Sequence, residues 1–79
     1  MQVVKKDGTR EDFDKQKIIN SCLSAGLAPD VAERIGNEVE NLAYDGVETK
    51  EIRILVLNKV RKEDPSCAQK WIDYEKNKT

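Results

Sequence analysis

The chain has 79 residues, 38% of them hydrophobic and 37% charged, with a formal net charge of −1. That length is near the lower limit for folding on one core, so one domain over residues 1–79 is expected. With no histidine, no apolar run near the ~20 residues a bilayer requires and no secretory h-region after Met1, the reading is a cytoplasmic, non-enzymatic protein without a membrane.

Residues 2–6 and 9–13 read as two short strands around Asp7-Gly8, a hairpin signal because both residues tolerate φ > 0. Two registers fit. A two-residue turn puts Val4 and Phe13 on one face. A three-residue turn puts Val3, Lys5, Glu11 and Phe13 there instead, and a slip of one residue exchanges the lysine facing the helices. A lone hairpin is marginal, so it must pack on those helices.

Asp14 is the expected N-cap of a first helix over residues 15–25, with Ile18, Ile19, Cys22 and Leu23 as its apolar stripe and Gly26 at its end. Pro29 opens a second helix, where Asp30 and Glu33 suit the positive helix end. Val31, Ile35, Val39 and Leu42 are its inward residues, and Asp45-Gly46 stops it. Val47-Glu48 can add a third strand. Thr49 reads as the N-cap of a third helix, buried through Ile52, Leu55, Val56 and Val60. Asp64-Pro65 starts a fourth, with Cys67, Ala68, Trp71 and Tyr74 inward. The expected fold class is α+β: a small β-hairpin or three-stranded sheet capping a four-helix bundle.

Cys22 and Cys67 are far apart and lack histidine partners, so they fit neither a zinc knuckle nor a disulfide framework and read as reduced helix residues. No Gly-x-x-x-x-Gly-Lys loop and no Gly-x-Gly-x-x-Gly turn is present, which excludes a P-loop hydrolase. Residues 28–52 carry seven acids and two bases, and residues 53–62 carry four bases and no acid. Those basic clusters are too modest for a strong duplex-DNA footprint, so nucleic acid is an unlikely partner on charge grounds.

Three groups of residues carry candidate chemistry, each with a plainer alternative. Asp14, Lys17 and Ile18 share one helical face beside the hairpin; Lys17 either neutralises a phosphate or rims a core isoleucine. Lys5, Lys6 and Arg10 flank the turn and either bind polyphosphate or keep a sheet edge soluble. Thr49 and Arg53, one turn apart, sit at a helix start suited to anions, or Thr49 is only a cap. Trp71 and Tyr74 read as core rather than as a stacking platform.

Together the chain resembles an ATP-cone domain, the allosteric nucleotide-binding module of ribonucleotide reductases and of a bacterial regulator of their genes. The matching residues are Val3, Lys5-Lys6-Asp7-Gly8, Glu11, Phe13-Asp14 and Lys17-Ile18, then Gly46-Val47-Glu48-Thr49-Lys50-Glu51-Ile52, then Ala68, Trp71 and Tyr74. The resemblance implies a non-catalytic regulatory module for ATP or dATP, with or without Mg2+, that signals to a protein partner or through self-association. Val3 and Ile18 would border the adenine, and Lys5, Lys6 and Lys17 would meet the phosphates. Glu11, Asp14 and Thr49 would complete the pocket, with Arg53 near the phosphates.

Lys6 stands where the family usually has Arg, which exchanges a bidentate fork for a point charge. Glu75 follows Tyr74 where Arg is common, opposing phosphate unless Lys76 or Lys78 compensates. Within these 79 residues there is neither a reductase barrel nor a zinc ribbon. Two alternatives stand beside the nucleotide reading: a cone-fold interaction module that has lost its nucleotide, and a small nucleic-acid binder using the hairpin lysines.

Overall fold

A computed structural model describes residues 1–77. The elements are β1 (Gln2–Val4), β2 (Arg10–Asp12), α1 (Lys15–Ser24), α2 (Pro29–Leu42), β3 (Val47–Glu48), α3 (Thr49–Glu63) and α4 (Pro65–Asn77). The fold is α+β, with a three-stranded sheet in the order β2-β1-β3 on a layer of four helices.

Backbone hydrogen bonds fix the hairpin register. Lys5 N–H donates to Thr9 O at 2.8 Å and Gly8 N–H to Lys5 O at 2.9 Å, closing a loop over Lys6, Asp7 and Gly8. Val3 therefore pairs with Glu11, the three-residue alternative. Within the loop only Gly8 takes a positive φ, +89°, as the last residue of such a loop does. The expectation that Asp7 shares it is corrected: Asp7 instead accepts Thr9 N–H at 3.1 Å and Thr9 Oγ1–H at 2.7 Å. The loop consumes Lys5 to Thr9, so the strands are shorter than the expected 2–6 and 9–13.

β3 runs parallel to β1, with Val47 beside Val3. Gly46 N–H donates to Gln2 O at 2.8 Å, and Gln2 N–H donates to Asp45 Oδ1 at 2.7 Å. The α2–α3 connection is thus clipped to the first strand.

Local caps bound the helices. Asp14 Oδ1 accepts Gln16 N–H at 3.0 Å at the start of α1. At its end Gly26 N–H donates to Leu23 O and Leu27 N–H to Cys22 O, a Schellman pair that closes α1 at Ser24, one residue before the expected boundary. Pro29 occupies the first turn of α2. That helix ends at Leu42, ahead of the Asp45-Gly46 turn expected to stop it. Asp64 Oδ1 accepts Ser66 N–H and Oγ–H, and these bonds hold its carboxyl below the ordinary range. The cap of α3 differs from expectation. Glu48 is the extended residue before the helix, and Thr49 is the first helical residue, with no side-chain cap bond. The parallel pairing of Glu48 with Val4 keeps it extended, so Glu48 takes the cap position and the helix starts one residue earlier than expected.

The core joins all four helices around Ile18, Cys22, Ile35, Val39, Val56, Val60, Cys67, Ala68 and Trp71. On α1 the buried stripe is Ile18, Ser21 and Cys22, continued by Ala25. Leu23 falls off that stripe and is 40% exposed, contrary to expectation. Leu42 is also exposed, at 55%; as the last residue of α2 it borders an open apolar groove with Tyr44, Val47, Ile54 and Leu55. Tyr44 Oη–H donates to Glu51 at the edge of this groove. Gly36 lets α1 and α2 approach closely: a Cβ there would lie 2.9 Å from Ile19 Cγ1.

Ser21 is the one buried polar residue among those described. Trp71 Nε1–H donates to Ser21 Oγ at 3.0 Å, and Ser21 Oγ–H donates to Ile18 O at 2.7 Å. Cys22 and Cys67 are buried and unbridged. Burial pushes the Cys22 thiol up to about 11. Among the described residues no helix is long and apolar enough to cross a membrane.

Candidate functional site

β1 alternates its side chains across the sheet, and Val3 turns toward the helices. Ile18, one turn after the Asp14 cap, faces the same region from α1. Val3 is 4% and Ile18 7% exposed, and both form the floor of a cleft of about 130 Å³. Its walls are Glu11, Asp12, Phe13, Asp14 and Lys17 from β2 and the start of α1, Thr49, Ile52 and Arg53 from α3, and Glu75 from α4.

The cleft opens onto a wider groove at the hairpin tip. Lys5, Lys6, Asp7, Glu11, Thr49 and Arg53 line a space of about 730 Å³. An overlapping space of about 590 Å³ adds Val4, Gly8, Glu48 and Lys50. Glu11, Thr49 and Arg53 belong to both the cleft and the groove, which makes the two continuous. The cleft alone is below the ~300–1,000 Å³ of ordinary ligand pockets; with the groove it falls in that range.

Nine of the residues singled out from the sequence lie around this cleft and groove: Val3, Lys5, Lys6, Glu11, Asp14, Lys17, Ile18, Thr49 and Arg53. Arg10, the third cation beside the turn, lines neither and lies 3.9 Å from Asp45 Oδ2 instead. Sequence reasoning did not assign Asp12, Phe13 or Ile52 to the site. Ile52 had a usable signal, since it stands one turn after Thr49 and shares its face. Asp12 and Phe13 adjoin the Asp14 cap. Lys76 borders a separate hollow of about 350 Å³ with Arg53, Trp71, Ile72 and Glu75. Lys78, considered from sequence as a compensating cation, lies outside the described residues.

Charge is segregated within the site. The small cleft has an apolar floor and mainly carboxylate walls, whereas the groove gathers Lys5, Lys6 and Arg53. Lys5 Nζ lies 3.3 Å from Glu11 Oε2, with both side chains well exposed. Lys6, Lys17 and Arg53 make no ion pair among the described residues. At the groove's edge the Thr9 hydroxyl and amide hold the Asp7 carboxyl below its ordinary range. The start of α3 borders the cationic side, and its first amides have no side-chain cap. Such amides suit an anion. The arrangement can therefore take a flat apolar group at one end and a polyanion at the other. No group of three or more acids, cysteines or histidines able to hold a metal occurs among the described residues.

The family model for the ATP cone domain matches residues 1–79. The chain is 34% identical over 70 residues to the transcriptional repressor NrdR of Caldicellulosiruptor saccharolyticus, covering 78% of this chain and 46% of the repressor. It is 41% identical over 69 residues to the NrdR of Microcystis aeruginosa, covering 77% of this chain and 40% of that protein. It is also 38% identical over 40 residues to an uncharacterized protein of Archaeoglobus fulgidus, covering 51% of this chain and 85% of that protein. The chain spans less than half the length of these NrdR relatives. Because they are repressors of transcription, the expectation that nucleic acid is an unlikely partner loses its support and is withdrawn.

Proposed function

The chain belongs to the ATP-cone family, a family of regulatory rather than catalytic domains, and from that premise we propose that it binds ATP or dATP in the cleft and groove described above. In this reading the adenine lies on Val3 and Ile18. Glu11, Asp14 and Thr49 surround the sugar and the first phosphate. Lys5, Lys6, Lys17 and Arg53 neutralise the remaining phosphates. Mg2+ enters with the nucleotide, as its counter-ion. The occupied domain then signals to a protein partner or to a second copy, through a difference in affinity between two association states.

One observation carries the reading. Nine residues between positions 3 and 53 converge on a continuous space whose apolar floor passes into a cationic groove. A calorimetric titration with ATP, dATP and GTP tests it. Micromolar binding of the adenine nucleotides, about −7 to −8 kcal/mol, is expected. No heat and no thermal shift with either adenine nucleotide at millimolar concentration favours the interaction module without nucleotide.

The names of the relatives favour a particular output, namely control of transcription. Under that reading the nucleotide state of the cone governs a DNA-binding assembly. Direct DNA binding by the hairpin lysines is the competing version. Its sign would be strong, salt-dependent DNA retention with no competition from ATP.

A further inference from the structure

We propose that Glu75 is a specificity-determining residue of this cleft: its carboxylate opposes the phosphate chain and sets how much affinity each phosphate adds. The inference rests on the nucleotide reading above. Glu75 is the only α4 residue lining the cleft, and it is half-buried there. It lines the cleft together with Arg53, and the two also line the hollow between α3 and α4. Neither side chain makes an ion pair or hydrogen bond among the described residues.

An ionised carboxylate offers only acceptors, and so do phosphate oxygens. In one cleft they repel, and they compete for the same guanidinium. Both effects act in one direction, against bound negative charge. The backbone beneath Glu75 is also fixed. Trp71, one turn earlier on α4, donates its indole N–H to Ser21 Oγ at 3.0 Å, and Ser21 in turn bonds Ile18 O at 2.7 Å. Ile18 is part of the cleft floor, so α4 is tied to the site it faces. Uncharged adenosine should not sense this carboxylate, and ATP should sense it most. The result is a site that stays exchangeable when a triphosphate occupies it.

The test is competition calorimetry on the full chain with adenosine, AMP, ADP and ATP, comparing the unaltered protein with Glu75→Gln and Asp73→Asn. The second variant removes the same charge from the exposed face of the same helix. Glu75→Gln should tighten ATP by roughly 3–10-fold, ADP by less and adenosine not at all, and raising the salt should shrink the gain. Asp73→Asn should leave all four unchanged. Equal tightening of every ligand, or the same gain in Asp73→Asn, would overturn the proposal. So would weaker adenosine binding in Glu75→Gln, which would make Glu75 a partner of the base or sugar. If the unaltered chain binds ATP and Glu75→Gln binds it equally well, only this inference fails. If neither protein binds ATP, the nucleotide reading itself fails.

Discussion

Trp71 and Ser21, 50 positions apart, meet in the core through one hydrogen bond of 3.0 Å from the indole N–H to the serine oxygen. The two residues are 4% and 2% exposed, so water cannot replace either partner. Ser21→Ala would leave the indole donor unsatisfied, at a cost of ~1–3 kcal/mol. Ser21→Thr keeps the hydroxyl, which in a helix can still bond back to a carbonyl, and should cost less. Urea unfolding of both variants measures the difference. Equal losses would assign the effect to packing instead of to the hydrogen bond.

That contact also marks where sequence reasoning ends. Asp14, Gly26, Pro29 and Asp64-Pro65 were legible because a cap or first-turn signal acts over a few residues. Ser21 was not, because what makes its burial tolerable sits on another helix. Leu23 was misplaced for the same reason, since a polar residue took its turn on the stripe. The α3 cap moved from Thr49 to Glu48 because a parallel strand pair, invisible locally, held Glu48 extended. Asp-Gly announced a hairpin but could not count its loop residues. The nine candidate site residues were legible as a pattern, whereas Glu75 was placed against phosphate only by the family resemblance and reaches the cleft through the packing of α4.

Lys17 and Ile35 should separate ligand contact from folding. Lys17 is exposed at the cleft wall, without an ion pair among the described residues. Ile35 is 1% exposed in the core. Lys17→Ala should weaken ATP binding strongly and leave unliganded stability within ~0.5 kcal/mol. Ile35→Ala should cost ~2–5 kcal/mol of stability. If Lys17→Ala loses stability and keeps its affinity, the lysine is structural and the proposed phosphate contact is wrong.

The shifted acid groups give stability a pH dependence of known sign. Hydrogen bonds from Thr9 and Ser66 depress the Asp7 and Asp64 carboxyls below their ordinary value of 3.8. Their contribution is therefore present above that pH and is lost as pH falls through the lower folded-state values. Cys22 works in the opposite sense. Its thiol is raised from 9.0 to about 11 by burial, so stability is full below pH 9 and declines as pH rises toward 11. Thermal melting from pH 2 to 11 should show both flanks. Asp64→Asn should flatten the acid flank, and Cys22→Ala the alkaline one. An acid flank unchanged in Asp64→Asn would mean that other carboxylates set it.

The proposed site and the apolar groove meet the same sheet. β1 lies at the centre of the sheet: Val3 pairs with Glu11 on one side and with Val47 on the other. Val3 floors the cleft, while Val47 lines the apolar groove bordered by Leu42, Tyr44 and Ile54. A nucleotide bridging the hairpin and α3 would replace repulsion among Lys5, Lys6 and Lys17 with attraction and fix the hairpin on the helices. ATP and dATP differ by one hydroxyl at the sugar, which in the proposed pose would meet the carboxylate walls of the cleft. We therefore expect the two nucleotides to give different association behaviour, in this chain or with its partner, with a coupling of ~1–3 kcal/mol. Light scattering and sedimentation of unliganded, ATP-loaded and dATP-loaded samples measure it. Identical assembly in all three, with binding established by calorimetry and the partner present, would leave a nucleotide binder without a switch.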